Sequence, residues 1–463
     1  MRRTMALVLT CASGTAWAAD PDEMIKLLDV LRQNGVLTQA QYQELRTGQE
    51  QKQRLAAEQA KAQQPSAQPA LSPDANPIEL ITKDGSFKVQ TKDKAYSMQL
   101  NGRMEMDGAL YSEDKRSLGD GVEMRRVYLS ASGVMDRDWG YKIEYDFANG
   151  GSFQDVYLQY LGLDPLNITA GYFKEPFSLE QLTSDLHTTF MERSLADALA
   201  MGRRMGVMGS YYGNLGSLAL GAFGSNAEGT HPTIDDIHDN QNLNGGEGDN
   251  GWRVAARGTF SPIHETGRVI HLGAAADYFA PNDEPLRFRQ RPESHVTDRY
   301  LIDTGALGQI DSATSVGAEA AGVYGPFSVQ GEYMQTDVDR DQGKKVLMNG
   351  WYVYASAFLT GESRAYDYKT GTFGRIKPER PFPAGWGAWE AAIRYSTLDL
   401  QDKDVLGGKQ NDITFAINWY MTQRVKLKGE YIWASADPSA GASPWYGEKD
   451  APDVFQMRLQ YDF

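Results

Sequence analysis

Strict alternation of apolar and polar residues is the feature that most limits how this chain can fold. From Met98 to Leu110 the even positions hold methionine, leucine and glycine, while nearly all the odd positions hold charged or amide residues. A repeat of two puts successive side chains on opposite faces of an extended strand. The pattern returns at residues 141–148, 413–420 and 425–433. Together with similar segments elsewhere, it predicts an all-β fold of about sixteen antiparallel strands.

Alternation alone does not separate a soluble sandwich from a membrane barrel, because both have one apolar and one polar face. Three further features favour the transmembrane barrel. Many segments reach the ten residues that a tilted strand needs to cross a bilayer, and aromatic residues lie near segment ends, as in an interfacial girdle. Short connections such as Gly325-Pro326 alternate with long polar ones such as 226–250 and 280–314. A mean hydropathy of −0.50 excludes a helical membrane bundle.

The first eighteen residues predict a secretory signal peptide. Arg2-Arg3 precede a short apolar run, and Ala16-Trp17-Ala18 forms a small-residue cleavage site. Cleavage would remove Cys11, the only cysteine, so disulfides and cysteine-based sites are excluded from the mature chain. It would also remove both arginines and change the net charge from −15 to −17. This acidity argues against a nucleic-acid partner, which needs a basic footprint.

Residues 19–64 predict a short periplasmic helical segment. Leucine and methionine recur at helical spacing between residues 24 and 31, Gly35 ends this helix, and Thr38-x-x-Gln41 predicts a capping box for a second one. The apolar stripe is short. The helices therefore either pair as a coiled coil or remain solvated, and both alternatives stay open. The proline-rich residues 65–79 predict a linker to a barrel domain of residues 80–463.

A barrel of this size leaves a water-filled lumen, so the polar side chains should face inward and the apolar ones lipid. Acidic and basic residues are nearly equal in number along the predicted polar faces, so their count predicts no preference for anions or cations. Arg125 and Arg126 are adjacent, so a regular strand would turn one of them to lipid unless a bulge or the barrel rim relieves it. With Arg103 they form a guanidinium cluster that favours carboxylate or phosphate. The alternative is a set of structural salt bridges with Glu105, Asp107 and Asp155.

The stretch Leu166–Glu180, LNITAGYFKEPFSLE, resembles the hallmark of the phosphate-selective porin O/P family. Residues 125–129, 138–142 and 191–194 are similar to the same family, and the resemblance runs from about residue 85 to the end. It implies a sixteen-stranded outer-membrane porin, usually trimeric. It also implies that residues 179–203, between the fifth and sixth strands, fold inward to constrict the channel.

The same resemblance assigns roles to single residues. Arg103, Arg125 and Arg126 match the family's arginines at and near the constriction, and Glu192-Arg193 takes the place of its acid–base pair. Phosphate-selective members carry a lysine where this chain has Gln181 and another where it has Gly140, although Lys142 lies on the same face. Fewer cations at the constriction weaken the expectation of a deep phosphate site.

No motif predicts catalysis. Gly246-x-Gly248-x-x-Gly251 has no preceding strand, the six histidines lack ligand spacing, and no G-x-S-x-G elbow occurs. We therefore predict no enzyme, no catalytic residue, no cofactor and no metal site.

The sequence thus predicts a trimeric porin of the bacterial outer membrane, with its N-terminal segment in the periplasm. It would contact lipid and lipopolysaccharide and pass small hydrophilic solutes by diffusion, with an anion or phosphate preference. The alternatives are a non-selective or cation-preferring pore, and an envelope tether through the N-terminal helices. The predicted pore residues are the basic Arg103, Arg125, Arg126, Lys142, Lys174 and Arg193 and the acidic Glu105, Asp107, Asp155 and Glu192.

Overall fold

The computed structural model describes residues 29–35, 38–48, 77–82, 87–148, 150–224, 251–281, 286–437 and 448–463. The predicted signal peptide and residues 65–76 of the predicted linker lie outside these ranges. The chain divides into one unit of residues 1–75 and another of residues 76–463. Within the described ranges, no helix is long and apolar enough to cross a membrane.

In the first unit, residues 29–33 and 39–48 are helical. The predicted capping box is present: the Thr38 N–H donates to Gln41 Oε1 at 3.1 Å, and the Gln41 N–H donates to Thr38 Oγ1 at 3.4 Å. The hydroxyl of Tyr42 on the second helix donates to Asp29 Oδ1 on the first at 2.5 Å. Pairing of these helices with other copies stays a prediction.

The second unit is built from strands. In chain order they are β1 (Ile78–Ile81), β2 (Phe87–Thr91), β3 (Ser97–Ser112), β4 (Gly121–Met135), β5 (Trp139–Asp146), β6 (Ser152–Leu163), β7 (Leu166–Lys174), β8 (Arg203–Gly213), β9 (Gly216–Phe223), β10 (Trp252–Glu265), β11 (Arg268–Ala280), β12 (Arg289–Gln290), β13 (Ile302–Asp303), β14 (Ile310–Tyr324), β15 (Phe327–Arg340), β16 (Val346–Phe358), β17 (Tyr366–Asp367), β18 (Thr372–Phe373), β19 (Ala388–Asp402), β20 (Val405–Tyr420), β21 (Val425–Asp437) and β22 (Asp453–Asp462). Between β7 and β8 lie the helix α1 (Leu179–Leu182) and two 3₁₀ turns, Asp185–His187 and Leu195–Leu199.

Sixteen of these strands form a closed antiparallel barrel: β3 to β11, β14 to β16 and β19 to β22. The barrel closes because the last strand, β22, pairs with the first, β3, with Arg458 opposite Asp107. Closure removes the unpaired edges that a membrane does not tolerate. The predicted strand number and antiparallel order are confirmed. The β1–β2 hairpin extends the sheet beside the first residues of β3.

The two faces of the strands differ as predicted. On β3 the outward-facing Met104 and Leu110 are 41 % and 58 % exposed, whereas the inward-facing Glu105 and Asp107 are 0 % and 2 % exposed. Apolar side chains therefore meet lipid and charged side chains meet the barrel interior. This inside-out pattern reverses that of a soluble sandwich.

The connections follow the predicted alternation only in part, because the connections 341–345 and 403–404, at the end opposite to Phe463, are also short. Most turns at the end of the barrel that holds Phe463 are short, such as 266–267 between β10 and β11. The connection 359–387, between β16 and β19, lies at the same end and contains β17 and β18. Arg257 on β10 donates to the Gly371 carbonyl of this connection at 2.8 Å, and Arg375 pairs with Asp462 on β22 at 2.5 Å. Because β10 and β22 lie eight strands apart in the sixteen-stranded barrel, the connection crosses the mouth.

Candidate pore constriction

The connection between β7 and β8, the fifth and sixth barrel strands, folds into the lumen. Its apolar side chains are buried, at 2 % exposure or less for Phe177, Leu179, Phe190, Met191, Leu195, Ala196 and Leu199. Its backbone is bound by charged side chains of the far wall. Glu332 on β15 accepts the N–H groups of Leu179 and Glu180 at 2.9 and 2.7 Å, and Lys428 on β21 donates to the Thr188 carbonyl at 2.7 Å. We call residues 175–202 the constriction loop.

A second connection, residues 281–309 between β11 and β14, braces the constriction loop through one buried carboxylate. Glu293 accepts the N–H of Leu195 in the loop at 3.2 Å. The same carboxylate accepts from the Thr414 hydroxyl at 2.6 Å and pairs with Arg394 at 2.5 Å, both on the barrel wall. The side chains of Glu293 and Arg394 are completely buried. This carboxylate therefore joins both inward connections to the wall.

A β-bulge decides the orientation of the two adjacent arginines. Arg126 lies opposite Glu105, but the next pair of β3 and β4 joins Met106 to Met124, so Arg125 is an extra residue. A bulge lets consecutive residues share one face of a strand. The side chains of Arg125 and Arg126 are only 15 % and 7 % exposed, and both point into the barrel. Neither arginine faces lipid.

Glu192 of the constriction loop binds two of the wall arginines. Arg125 donates through Nε and Nη2 to the two oxygens of Glu192 at 2.9 and 3.0 Å. Arg458 donates to Glu192 Oε1 at 2.6 Å and to both oxygens of Asp107 at 2.7 and 2.6 Å. Arg126 is paired mainly with Glu105, at 2.7 Å. Loop and wall thus meet in one network of alternating charges.

Asp185 is a second loop carboxylate in this network. Arg103 and Arg126 lie 3.4 and 3.5 Å from it, and Arg193 of the loop also pairs with it. Arg103 is stacked over the Tyr128 ring at 3.7 Å. Burial alone would raise the pKa of Asp185, but the surrounding cations, led by Arg193, hold this pKa well below its usual range.

Two more loop groups have their charge fixed by the surroundings. Burial alone would raise the pKa of Glu192, but the nearby guanidiniums, led by that of Arg125, hold this pKa well below its usual range. Burial, with a smaller contribution from the charge of Lys426, lowers the pKa of His187 to about 3. Glu192 is therefore an anion, and His187 is neutral, at neutral pH.

The two predicted pore lysines, Lys142 and Lys174, differ in their salt-bridge partners. Lys142 lies 2.7 Å from Asp155 and 3.1 Å from Glu144, and Arg203 shares Asp155 at 2.7 Å. Lys174 donates to the Gln181 carbonyl at 2.5 Å. Among the described residues, no carboxylate lies within 4.0 Å of Lys174. Lys174 therefore forms no salt bridge within the described part of the chain.

Among the cavities that the described residues form, two beside the constriction loop are lined by most of the predicted pore residues. The larger, of about 400 Å³, is lined by the cations Arg103, Lys142, Lys174, Arg203 and Arg375 and the carboxylates Glu144, Asp155, Asp185 and Asp462. The smaller, of about 260 Å³, is lined by Arg125, Arg126, Arg193 and Arg291 and by Glu192, Asp197 and Glu293. Each cavity has one more cationic than anionic side chain.

The ten predicted pore residues all lie in this region. Arg103, Arg125, Arg126, Arg193, Glu105, Asp107 and Glu192 belong to the network, while Lys142, Lys174 and Asp155 belong to the larger cavity. The predicted list omits Asp185, Arg203 and Arg458. For Arg458, on the polar face of the last strand, the alternation predicts an inward orientation but does not link the residue to the constriction.

Comparison with known proteins assigns this architecture to a family. Residues 98–463 match the family described as phosphate-selective porin O and P. Porin O of Pseudomonas aeruginosa is 28 % identical over 427 residues, covering 83 % of this chain and 92 % of that protein. An uncharacterized protein of Caulobacter vibrioides is 30 % identical over 417 residues, covering 87 % of this chain and 80 % of that protein.

Solved porin structures are more distant in sequence. An anion-selective porin from Comamonas acidovorans has a TM-score of 0.47 at 15 % identity, covering 80 % of this chain and all of that one. OprB of Pseudomonas putida has a TM-score of 0.49 at 11 % identity, covering 80 % and 95 % of the two chains. The barrel assignment rests on this chain's own strand pairing. The family match over most of the chain and the closed barrel identify an outer-membrane porin channel, and the chain belongs to the phosphate-selective porin O and P family.

Proposed function

We propose that the channel passes small hydrophilic solutes by passive diffusion and prefers anions, including phosphate. The observation that carries this proposal is the inward orientation of both Arg125 and Arg126 at the constriction, which the bulge makes possible. Guanidinium groups bind carboxylate and phosphate through paired hydrogen bonds. The excess of one cationic side chain in each of the two cavities supports the same sign of selectivity.

A general porin with weak selectivity is the second candidate. It is favoured by the carboxylates that pair with the constriction arginines, since Arg125, Arg126 and Arg458 each lie within 3.0 Å of one. Gln181 and Gly140, where phosphate-selective members have lysines, point the same way. The balance between unpaired and paired cations decides between the two candidates.

The zero-current potential of the purified protein in a planar bilayer under a KCl gradient tests the proposal. We expect a potential directed towards the chloride equilibrium, because cations outnumber carboxylates beside the loop. Added phosphate should then reduce the chloride current. A potential directed towards potassium would mean that the carboxylates control the constriction, and it would overturn the anion preference.

Lys174 should contribute more to selectivity than Lys142 does. We expect Lys174→Gln to move the zero-current potential towards potassium, because it removes a basic side chain that forms no salt bridge with any described residue. Lys142→Gln removes a side chain that is paired with two carboxylates, and both carboxylates lose this partner. Lys142→Gln should also move the potential towards potassium, because Glu144 and Asp155 then lack a cationic partner. This shift does not depend on the loss of an anion contact. Phosphate block separates the two, since only Lys174→Gln should weaken it; equal block in both variants would contradict the role of Lys174.

We also propose that the protein is a homotrimer with its N-terminal helices in the periplasm. The periplasmic position is supported by the barrel, because the end that holds Phe463 and most of the short turns is the end near which β1 begins. Short turns mark the periplasmic side of bacterial barrels. An envelope tether remains the alternative role for these helices.

A further inference from the structure

The contact between Arg125 and Glu192 has the geometry of a bound ligand. Two nitrogens of one guanidinium meet two oxygens of one carboxylate at 2.9 and 3.0 Å, which is the paired arrangement by which arginine binds carboxylate and phosphate ions. Arg458 adds a third hydrogen bond to the same carboxylate at 2.6 Å. The chain's own side chain therefore fills a site that suits an oxyanion.

Glu192 differs from the wall carboxylates of the network in its attachment. Glu105 and Asp107 project from β3 and their side chains are 0 % and 2 % exposed, so they are enclosed by the wall. The Glu192 side chain is 16 % exposed and borders the smaller cavity. It can leave the arginines by rotating its own bonds.

The backbone around Glu192 is held in place independently of its carboxylate. The Glu192 carbonyl accepts from Arg394 at 3.1 Å, and the Met191 N–H donates to Glu430 at 2.6 Å. Loss or rotation of the carboxylate therefore leaves the loop anchored. The site would open without unfolding the constriction.

Departure of this carboxylate changes the local charge. Among the described residues, Glu192 is the one carboxylate within 4.0 Å of Arg125. Arg458 keeps Asp107 as a second partner. Without the Glu192 charge, Arg125 becomes an unpaired guanidinium at the edge of a cavity of about 260 Å³, which is larger than a small oxyanion needs.

We propose that Glu192 is a tethered competitor for the anion site formed by Arg125 and Arg458. A permeating oxyanion, a carboxylate or a phosphate, replaces it at Arg125 while the Glu192 side chain turns into the cavity. Because Glu192 competes for the same arginines, it lowers the affinity of the site for a permeating anion, and a bound anion can therefore leave as well as enter. This inference rests on the proposed function, because it names the ligand class and the residue that sets its affinity.

Two variants and one small-molecule probe test the inference. Glu192→Ala deletes the side-chain carboxylate, and added acetate supplies a free carboxylate in its place. Glu192→Gln keeps the size of the side chain but removes its charge. We expect both variants to raise the chloride-to-potassium permeability ratio by at least about threefold, because one unit charge leaves the pore at contact distance from its partners. In Glu192→Ala, acetate at millimolar concentration should block the chloride current, and wild type should need a higher concentration.

The matched control is Glu448→Gln, in the connection between β21 and β22. It removes one negative charge from a side chain that is 72 % exposed, borders neither cavity and has an exposed ion-pair partner, Lys115, so we expect a smaller change in the permeability ratio and no acetate block. Electrophoretic mobility before and after heating verifies that each barrel is folded. If Glu192→Ala does not fold, a lower acetate concentration for block in Glu192→Gln than in wild type is the corresponding result.

The outcomes separate this inference from the proposed function. A wild-type potential directed towards potassium, with a shift towards chloride and new acetate block in the variants, would overturn the anion preference and support the competitor. A chloride-directed wild type whose variants show no shift and no acetate block would overturn the competitor alone.

Discussion

Replacing Glu293 by alanine should lower the free energy of unfolding by about 3–5 kcal/mol, because it leaves Arg394 buried without its closest carboxylate. The N–H of Leu195 and the hydroxyl of Thr414 lose their acceptor at the same time. Each inward connection then loses one of its attachments to the wall. We expect a lower temperature for the loss of folded electrophoretic mobility, and larger and noisier single-channel currents.

Asp298→Ala provides the comparison for this prediction. It alters a carboxylate five positions further along the same connection, but one whose side chain is almost fully exposed. Exposed ion pairs contribute roughly 0–1 kcal/mol, so heat stability and current noise should stay close to those of wild type. Equal behaviour of the two variants would show that Glu293 does not brace the constriction.

Deletion of Arg125 should leave the barrel able to fold. Arg125 is the extra residue of the bulge, so its removal lets Met124 and Arg126 follow each other on opposite faces with their partners Met106 and Glu105 unchanged. The deletion removes the bidentate partner of Glu192 and one positive charge from the constriction. We expect folded mobility, conductance, and a zero-current potential shifted towards potassium.

Deletion of Leu129 in the same strand is the control, and it should prevent assembly. Leu129 is paired one-to-one with Gly102. Its deletion therefore shifts the part of β4 on one side of it by one residue and turns the side chains of that part to the opposite face of the sheet. Polar groups such as that of Ser130 would then meet lipid. If the two deletions fold equally well, or if the Arg125 deletion also fails, the bulge does not have the role assigned to it.

The sequence predicted the barrel because strand faces repeat every two residues, and lipid and water enforce that repeat. The adjacent Arg125 and Arg126 indicated where this repeat is interrupted, because a regular strand would turn one of the two charged side chains towards lipid. The pattern did not distinguish a bulge from a position at the rim. That distinction depends on the pairing with β3, which has no local signature in β4.

Residues outside the strands were harder to predict. Asp185 lies in a loop, where no period relates position to direction, so its meeting with Arg103 and Arg126 follows only from the folded path. The crossing of the mouth by residues 359–387 was not predicted either. The hydrogen bond from Arg257 to Gly371 joins positions more than a hundred residues apart.

The connection across the mouth has a consequence for how the channel resists flow. The constriction loop and residues 359–387 obstruct the same conduit one after the other, so their electrical resistances add like resistors in series. Trimming one obstruction leaves the full resistance of the other. A solute meets the two obstructions in turn, and because their resistances to its passage also add, the selectivity of the whole path is set mainly by the obstruction that resists that solute more.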